Sequence, residues 1–343
     1  MDKNKMDKNK IYKRDTIFKI IGSIIILFII INFIPTSYYI MTPGIAQELS
    51  PIITVENGIK ADTRGDFLLT AVASQKATIW DYIYISIFKP EGKELDPVQE
   101  ELPPGVDMEE YIKIMEELME ESKLHAQAVA FKEAGYDYQV NGDGARIVEI
   151  LEEGSAEGKL KKNDIITGVN GEKVKFATDA VDLIRKYDIG DIIEIEVLRD
   201  EETKKFQLET VEIENNPGKS SIGVLITTEN LNYEFPKNVS FHTENIVGPS
   251  AGTVFALEIY NQLTDEDITK GKRIAGTGSI SSEGEVGKID GVAQKVMAAE
   301  KVDADLFLAP EANYEKARKA SQNIKVISIK DFSETIDKLK SIE

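Results

Sequence analysis

An apolar run long enough to cross a bilayer constrains a chain more than any other local feature, and one lies near the start of this sequence. From Ile17 to Ile34, IFKIIGSIIILFIIINFI is interrupted only by Lys19, Gly22, Ser23 and Asn32. A spanning helix needs about 20 mostly apolar residues. Lys19 stands near one end, where a lysine can snorkel to the interface. Tyr38 and Tyr39 follow the run, in the place that interfacial aromatics favour. The lysine-rich MDKNKMDKNKIYKR precedes it, so the positive-inside rule keeps residues 1–15 as a cytoplasmic tail, makes 16–36 a single-pass transmembrane anchor and puts the body outside. A cleaved signal peptide is the competing reading, but no small-x-small site follows the run, which continues Pro-Thr-Ser-Tyr.

The 343 residues, 42% of them hydrophobic, suffice for two domains with real cores. A net charge of -19 argues against nucleic acid, which needs a basic surface. The chain has no cysteine, which rules out disulfides, thiolate metal sites and thiol nucleophiles. With only His125 and His242, little histidine chemistry is available, and neither a metal nor a cofactor is expected.

Beyond the anchor, GDFLLTAVASQKATIWDYIYISIF (65–88) has β-branched and aromatic clusters suited to two strands. KPEGKELDPVQEELPPG reads as an exposed excursion. MEEYIKIMEELMEESKLHAQAVAFKEAG then places Ile112, Met115, Leu118 and Met119 at helical spacing and ends at Gly135. In the next block, 136–212, ARIVEILEEGSAEGKLKKNDIITGVNGEKV reads strand, turn, short helix, strand and an Asn170-Gly171 turn. FATDAVDLIRKY follows as a helix and DIIEIEVLRD as a strand.

This block resembles a PDZ domain. NDIITGVNG stands for the pattern Gly-Asp-x-Ile-x-x-x-Asn-Gly, with Asn163 where glycine is usual. The resemblance implies a β-rich unit with two helices that lays an extended peptide along a strand edge. By resemblance, the groove lies between the strand of Arg146, Ile147 and Val148 and the helix of Val181 and Ile184, with amides of the Asn141–Gly144 loop aimed at a terminal carboxylate. Each of these residues also fits as plain core.

IVGPSAGTVFALEIY (246–260) sets Ser250 between Gly-Pro and Ala-Gly at the mouth of an apolar helix. A phosphate loop would need Gly-x4-Gly-Lys-Ser/Thr; GPSAGTV lacks the lysine, and neither GKSSIG nor GKRIAG completes the spacing, so no ATP site is expected. A helix cap explains the serine but not the flanking glycines. A nucleophile explains both, because free amides at a helix N-terminus can hold an oxyanion and glycines let a substrate backbone approach. Such a serine needs a base. His242 is near in sequence but has no recognisable orienting acid. The other solution is a lysine desolvated from its ordinary pKa of about 10.4. In IDGVAQKVMAAEKVDADLFLAP, Asp290 is a natural N-cap, and Lys295 has Val292, Ala298 and Ala299 on its helical face.

GPSAG, AGTGSISSEGEVGKIDGVAQK and VMAAEKVDADLFLAP together resemble the proteolytic domain of the Lon peptidases. The resemblance implies that Ser250 is the nucleophile and Lys295 its base, with Thr277 supporting the amine and the amides of Ser250 and Ala251 forming the oxyanion hole. MEESKLHAQAVAF resembles a helix of the same domain and GDFLLTAV one of its early strands. The expected fold is therefore α+β: a transmembrane helix, then a Lon-type proteolytic domain in two parts, 37–135 and 217–343, with the PDZ unit inserted. Anchor, PDZ unit and Ser-Lys peptidase together resemble the membrane-anchored PDZ–Lon-like proteases of Gram-positive bacteria. That resemblance implies an ATP-independent endopeptidase outside the cell membrane, acting on secreted peptides, flexible segments or small membrane proteins. It also admits a homo-oligomeric ring. The rivals are a membrane-tethered PDZ adaptor that no longer cuts and a histidine-type serine protease.

Overall fold

The computed structural model describes the chain apart from residues 1–18, 24, 27, 60–64, 99–107, 152–153, 213–217, 244–245 and 343. It divides into two compact units: the first joins residues 1–136 to 237–343, and the second is Asp137–Pro236. The first unit is thus discontinuous in sequence.

The described part of the apolar run is helical between 19 and 31. Among the described residues no helix is long and apolar enough to cross a membrane; residues 17, 18, 24 and 27 of the run lie outside them, as does the basic tail.

The N-terminal portion of the first unit contains β1 (Pro35–Glu48), β2 (Ile53–Val55), β3 (Asp66–Thr78), helix α1 (Ile79–Phe88), β4 (Glu94–Pro97) and helix α2 (Met108–Glu133). IWDYIYISIF is therefore a helix, not the second strand that its composition predicts. A reciprocal cap overrides the β propensity: the Asp81 amide donates to Thr78 Oγ1 at 3.2 Å and the Thr78 amide to Asp81 Oδ2 at 3.0 Å. The charged excursion is not wholly free either, because β4 pairs antiparallel with β1 from Tyr38 to Met41.

The second unit holds β5 (Gln139–Asn141), β6 (Ala145–Ile150), β7 (Ile165–Val169), β8 (Glu172–Lys173), α3 (Ala177–Ile184), β9 (Ile192–Arg199), β10 (Glu202–Glu209), β11 (Val224–Thr228) and β12 (Asn232–Glu234). Its sheet runs β10-β9-β7-β6-β11, with β8 on β7, while β5 pairs with β12. The unit therefore extends to Pro236 and not to 212: β11 completes the sheet and β12 pairs with β5. Ile147, Ile166, Ile193, Ile195 and Val197 are fully buried in its core. Beside them the Arg199 guanidinium grips Asp164, itself 1% exposed, through two hydrogen bonds of 2.6 Å.

The chain then returns to the first unit with β13 (Val239–Phe241), a 3-10 turn (Pro249–Ala251), α4 (Gly252–Leu263), β14 (Arg273–Gly276), β15 (Ser279–Ile280), β16 (Val286–Gly287), α5 (Val292–Glu300), β17 (Leu306–Pro310), α6 (Tyr314–Ala320), β18 (Lys325–Ile329) and α7 (Phe332–Lys340). The sheet order is β18-β17-β14-β3-β1-β4. β14 lies parallel to both β3 and β17, so residues from the two distant parts of the sequence share one sheet. β13 pairs with β2 antiparallel and likewise joins the two parts. Helix α4 is buried on every face. Its polar residues are satisfied: Gln262 donates to the Ile53 carbonyl at 2.8 Å and accepts from the Val55 amide at 2.9 Å.

Candidate active site

Ser250 lies in the 3-10 turn that leads into α4, preceded by Gly248 at φ 93°. The serine oxygen faces the Lys295 amine, within a short network. Lys295 Nζ lies 2.8 Å from Ser250 Oγ and 3.0 Å from Thr277 Oγ1. The Thr277 hydroxyl donates to the Ser250 carbonyl at 3.0 Å, and the Gly278 amide donates to the same oxygen at 2.8 Å.

Each member comes from a different element. Thr277 follows directly on the buried strand β14 and is itself fully buried. Lys295 is on the second turn of α5, which starts after Gly291 at φ 68° rather than at Asp290. Val292, Val296 and Ala299 of that helix pack into a core with Leu68 and Phe307. Lys295 is only 3% exposed as a result. Burial holds its amine down to about 8, against a smaller opposing pull from Asp290.

The hydrogen-bond directions explain what such an amine can do. Thr277 spends its hydroxyl proton on the Ser250 carbonyl, so its oxygen is left to accept from the amine. As placed, the amine donates to Ser250 Oγ at 2.8 Å; once neutral, with one N–H kept on Thr277, it can accept the serine proton along the same short line.

Close packing holds the turn in place. A Cβ on Gly252 would stand 2.5 Å from Ser122 Oγ and 2.8 Å from Ile280 Cγ2, so only glycine fits where α2 crosses the start of α4. Ser122 donates to the Pro249 carbonyl at 3.1 Å. This contact was not singled out from the sequence, although the Glu-Ser pair of MEESKL marked its helix. A cleft of about 350 Å³ opens beside Pro249, lined among others by Leu118, Glu121, His125 and Ser279. Neither histidine hydrogen-bonds Ser250 among the described residues: His125 Nδ1 faces the Ile280 carbonyl at 3.3 Å, and His242 is exposed after β13. No cluster able to hold a metal occurs among the described residues.

Residues 243–341 match the C-terminal proteolytic domain of Lon protease (S16). This part of the chain is similar to a Lon-type proteolytic domain. Residues 132–210 match the PDZ domain. The chain is 34% identical over 94 residues to Lon protease 2 of Bacillus subtilis, and 32% over 95 residues to the Lon protease of Campylobacter jejuni. These alignments cover 27% and 26% of this chain but 17% and 12% of those proteins, so the chain spans under a fifth of the length of either relative. Among solved structures, the PDZ domain of the SdrC-like protein of Listeria monocytogenes is 22% identical, with a TM-score of 0.24; the match covers 26% of this chain and 92% of that one.

The PDZ match stops before β11, and β11 changes where an edge is available. Arg146, Ile147 and Val148 lie on β6, which is paired with β7 on one side and β11 on the other, so this strand offers no free edge. Ile147 is fully buried, and Arg146 is bonded to Glu229 at 2.8 Å. The outer strand is β11, next to α3, where Ile184 is core and Val181 half-buried. The Asn141–Gly144 loop is not an open anion cradle either: the Asp143 amide donates to the Glu229 carbonyl and the Gly144 amide to Lys175. The sequence pattern did not disclose β5, β10, β11 or β12, and the short helix expected between β6 and β7 is a turn over 155–159, broken by Gly158 at φ 73°, so the described residues of this unit hold one helix and not two.

Proposed function

We propose that the protein is a membrane-anchored serine endopeptidase that works without ATP, with its body outside the cell. The observation carrying this reading is the 2.8 Å approach of Lys295 Nζ to Ser250 Oγ inside a Lon-type proteolytic domain, with the amine desolvated. In the proposed reaction, Ser250 Oγ attacks the scissile carbonyl while neutral Lys295 takes its proton. The amides of Ser250 and Ala251, at the free N-terminal end of the turn and helix, receive the oxyanion. The ammonium then returns its proton to the leaving amine, the C–N bond breaks, and an acyl-serine remains. Water, deprotonated by the same lysine, releases the second product.

The apolar run 17–34 and its basic flank support the anchor, and the outward strand β11 beside α3 supports capture of an extended peptide by strand addition. Substrates of this enzyme are peptides and flexible segments of secreted or small membrane proteins. The test incubates the full chain in detergent with a pool of such peptides, without ATP, and identifies products by mass spectrometry. Wild type yields products, and Ser250→Ala and Lys295→Ala yield none. Equal cleavage by all three would refute the dyad. Retained peptide binding with no product from any would favour the non-cleaving adaptor.

A further inference from the structure

Helix α1 is apolar on the side it turns away from the protein. Ile87 is 66% and Phe88 65% exposed, with Tyr82 and Ile83 also exposed. Its one charge, Asp81, is consumed by the capping box with Thr78. Contiguous apolar surface of this kind on a helix marks an interaction site.

Its position says what covers it. The Ile79 amide donates to the carbonyl of Ile34, the last residue of the apolar run, at 3.0 Å. Phe28, inside that run, meets Trp80 edge to face at 4.8 Å. α1 therefore starts at the level where the run ends and lies against its final turns. Tyr38 contacts Tyr82 at 4.8 Å, and Lys93 stands 6.0 Å over the Tyr84 ring. Tryptophan, tyrosine and lysine around an apolar helix are the composition of a membrane–water interface.

We infer that α1 lies in the headgroup–acyl boundary of the outer leaflet as a second membrane contact, one that holds the peptidase unit at a fixed height above the bilayer. The inference rests on the anchored reading proposed above. α1 continues directly from β3, and Gly276, the residue before Thr277, pairs with Leu69 of β3. Thr78, the N-cap of α1, lies nine positions along the strand from Leu69. At roughly 3.3 Å per strand residue, the site stands no more than about 30 Å from the membrane surface. A lipid-lying α1 thus confines cutting to the membrane-proximal segments of a substrate.

The absence of native cysteine makes the test unambiguous. Spin labels are placed singly at Ile83→Cys, Ile87→Cys and, as an aqueous reference, Glu315→Cys in the full chain reconstituted into phosphatidylcholine–phosphatidylglycerol vesicles. Collision with oxygen and with a water-soluble nickel chelate is then measured, and flotation of the same vesicles after alkaline washing reports the anchor. The expected result is that the labels at 83 and 87 meet oxygen and exclude the chelate, with the reverse order at 315. Chelate access at 87 equal to that at 315, in protein that floats, would overturn the inference and leave the anchor standing. A label at 87 closed to both reagents and broadened by a second label would show a second copy on this face, and would equally overturn it. Failure to float would remove the anchor, and the inference with it.

Discussion

Lys295 is held in two states by opposing demands, and both can be measured. Its folded pKa of about 8 lies below the ordinary 10.5, so between these values the unfolded chain binds more protons and stability rises with pH. Below pH 8 the charged amine costs about 3 kcal/mol in its buried setting. Lys295→Met is therefore expected to be more stable than wild type at pH 7, by up to about 3 kcal/mol. That gain should fade toward pH 10.5 in urea unfolding followed by circular dichroism. Activity moves the same way for a different reason: only about a tenth of the amine is neutral at pH 7, so kcat/KM rises through about pH 8 to a plateau. Thr277→Val removes the acceptor that orients the amine, and about a tenfold loss in kcat with little change in KM is expected from steady-state kinetics. Ser250 and Lys295 stood out as candidates in the sequence because their neighbours are glycine-rich or small and apolar at helical spacing, whereas Thr277 entered only through the family resemblance. The direction of the Thr277 hydroxyl was not legible, since it depends on where the Ser250 carbonyl points after folding.

At the scale of elements, the Ser250 turn is fixed by α2 as much as by its own helix. Ser122→Ala removes the donor to the Pro249 carbonyl and should cost about 1 kcal/mol of stability. Gly252→Ala drives a methyl into Ser122 and Ile280 and should cost about 1–3 kcal/mol. Thermal unfolding checks both, and kcat is expected to fall further in the glycine variant because the turn itself moves. Helix α2 was readable from its spacing of apolar residues. Helix α1 was not, because isoleucine and tyrosine favour strands and a single Thr-x-x-Asp cap reverses the outcome. The peptide edge was misplaced because the PDZ resemblance ends before β11, and only the pairing of β11 makes β6 interior.

For the whole molecule, the decisive feature is that one compact unit interrupts another. Tyr136 and Lys237, the residues on either side of the second unit, lie together, with the lysine amine 5.1 Å over the tyrosine ring. Replacing 137–236 by a short Gly-Ser linker is therefore expected to leave the first unit folded and able to hydrolyse an unspecific ester, with loss confined to longer peptides. Loss of ester hydrolysis together with unfolding would contradict the separation. The parallel pairing of β14 with β3 joins residues some 200 apart, and no local pattern foretells such a register.

The most direct test of the central claim is where an acyl group lands. p-Nitrophenyl acetate is mixed with the full chain at several pH values, quenched rapidly in acid and mapped by peptide mass spectrometry. The account predicts an acetyl group on Ser250 that forms faster as pH rises through about 8 and is absent from Ser250→Ala and Lys295→Met. Acetylation of Ser250 at the same rate in Lys295→Met, or an adduct that forms only elsewhere, would contradict it.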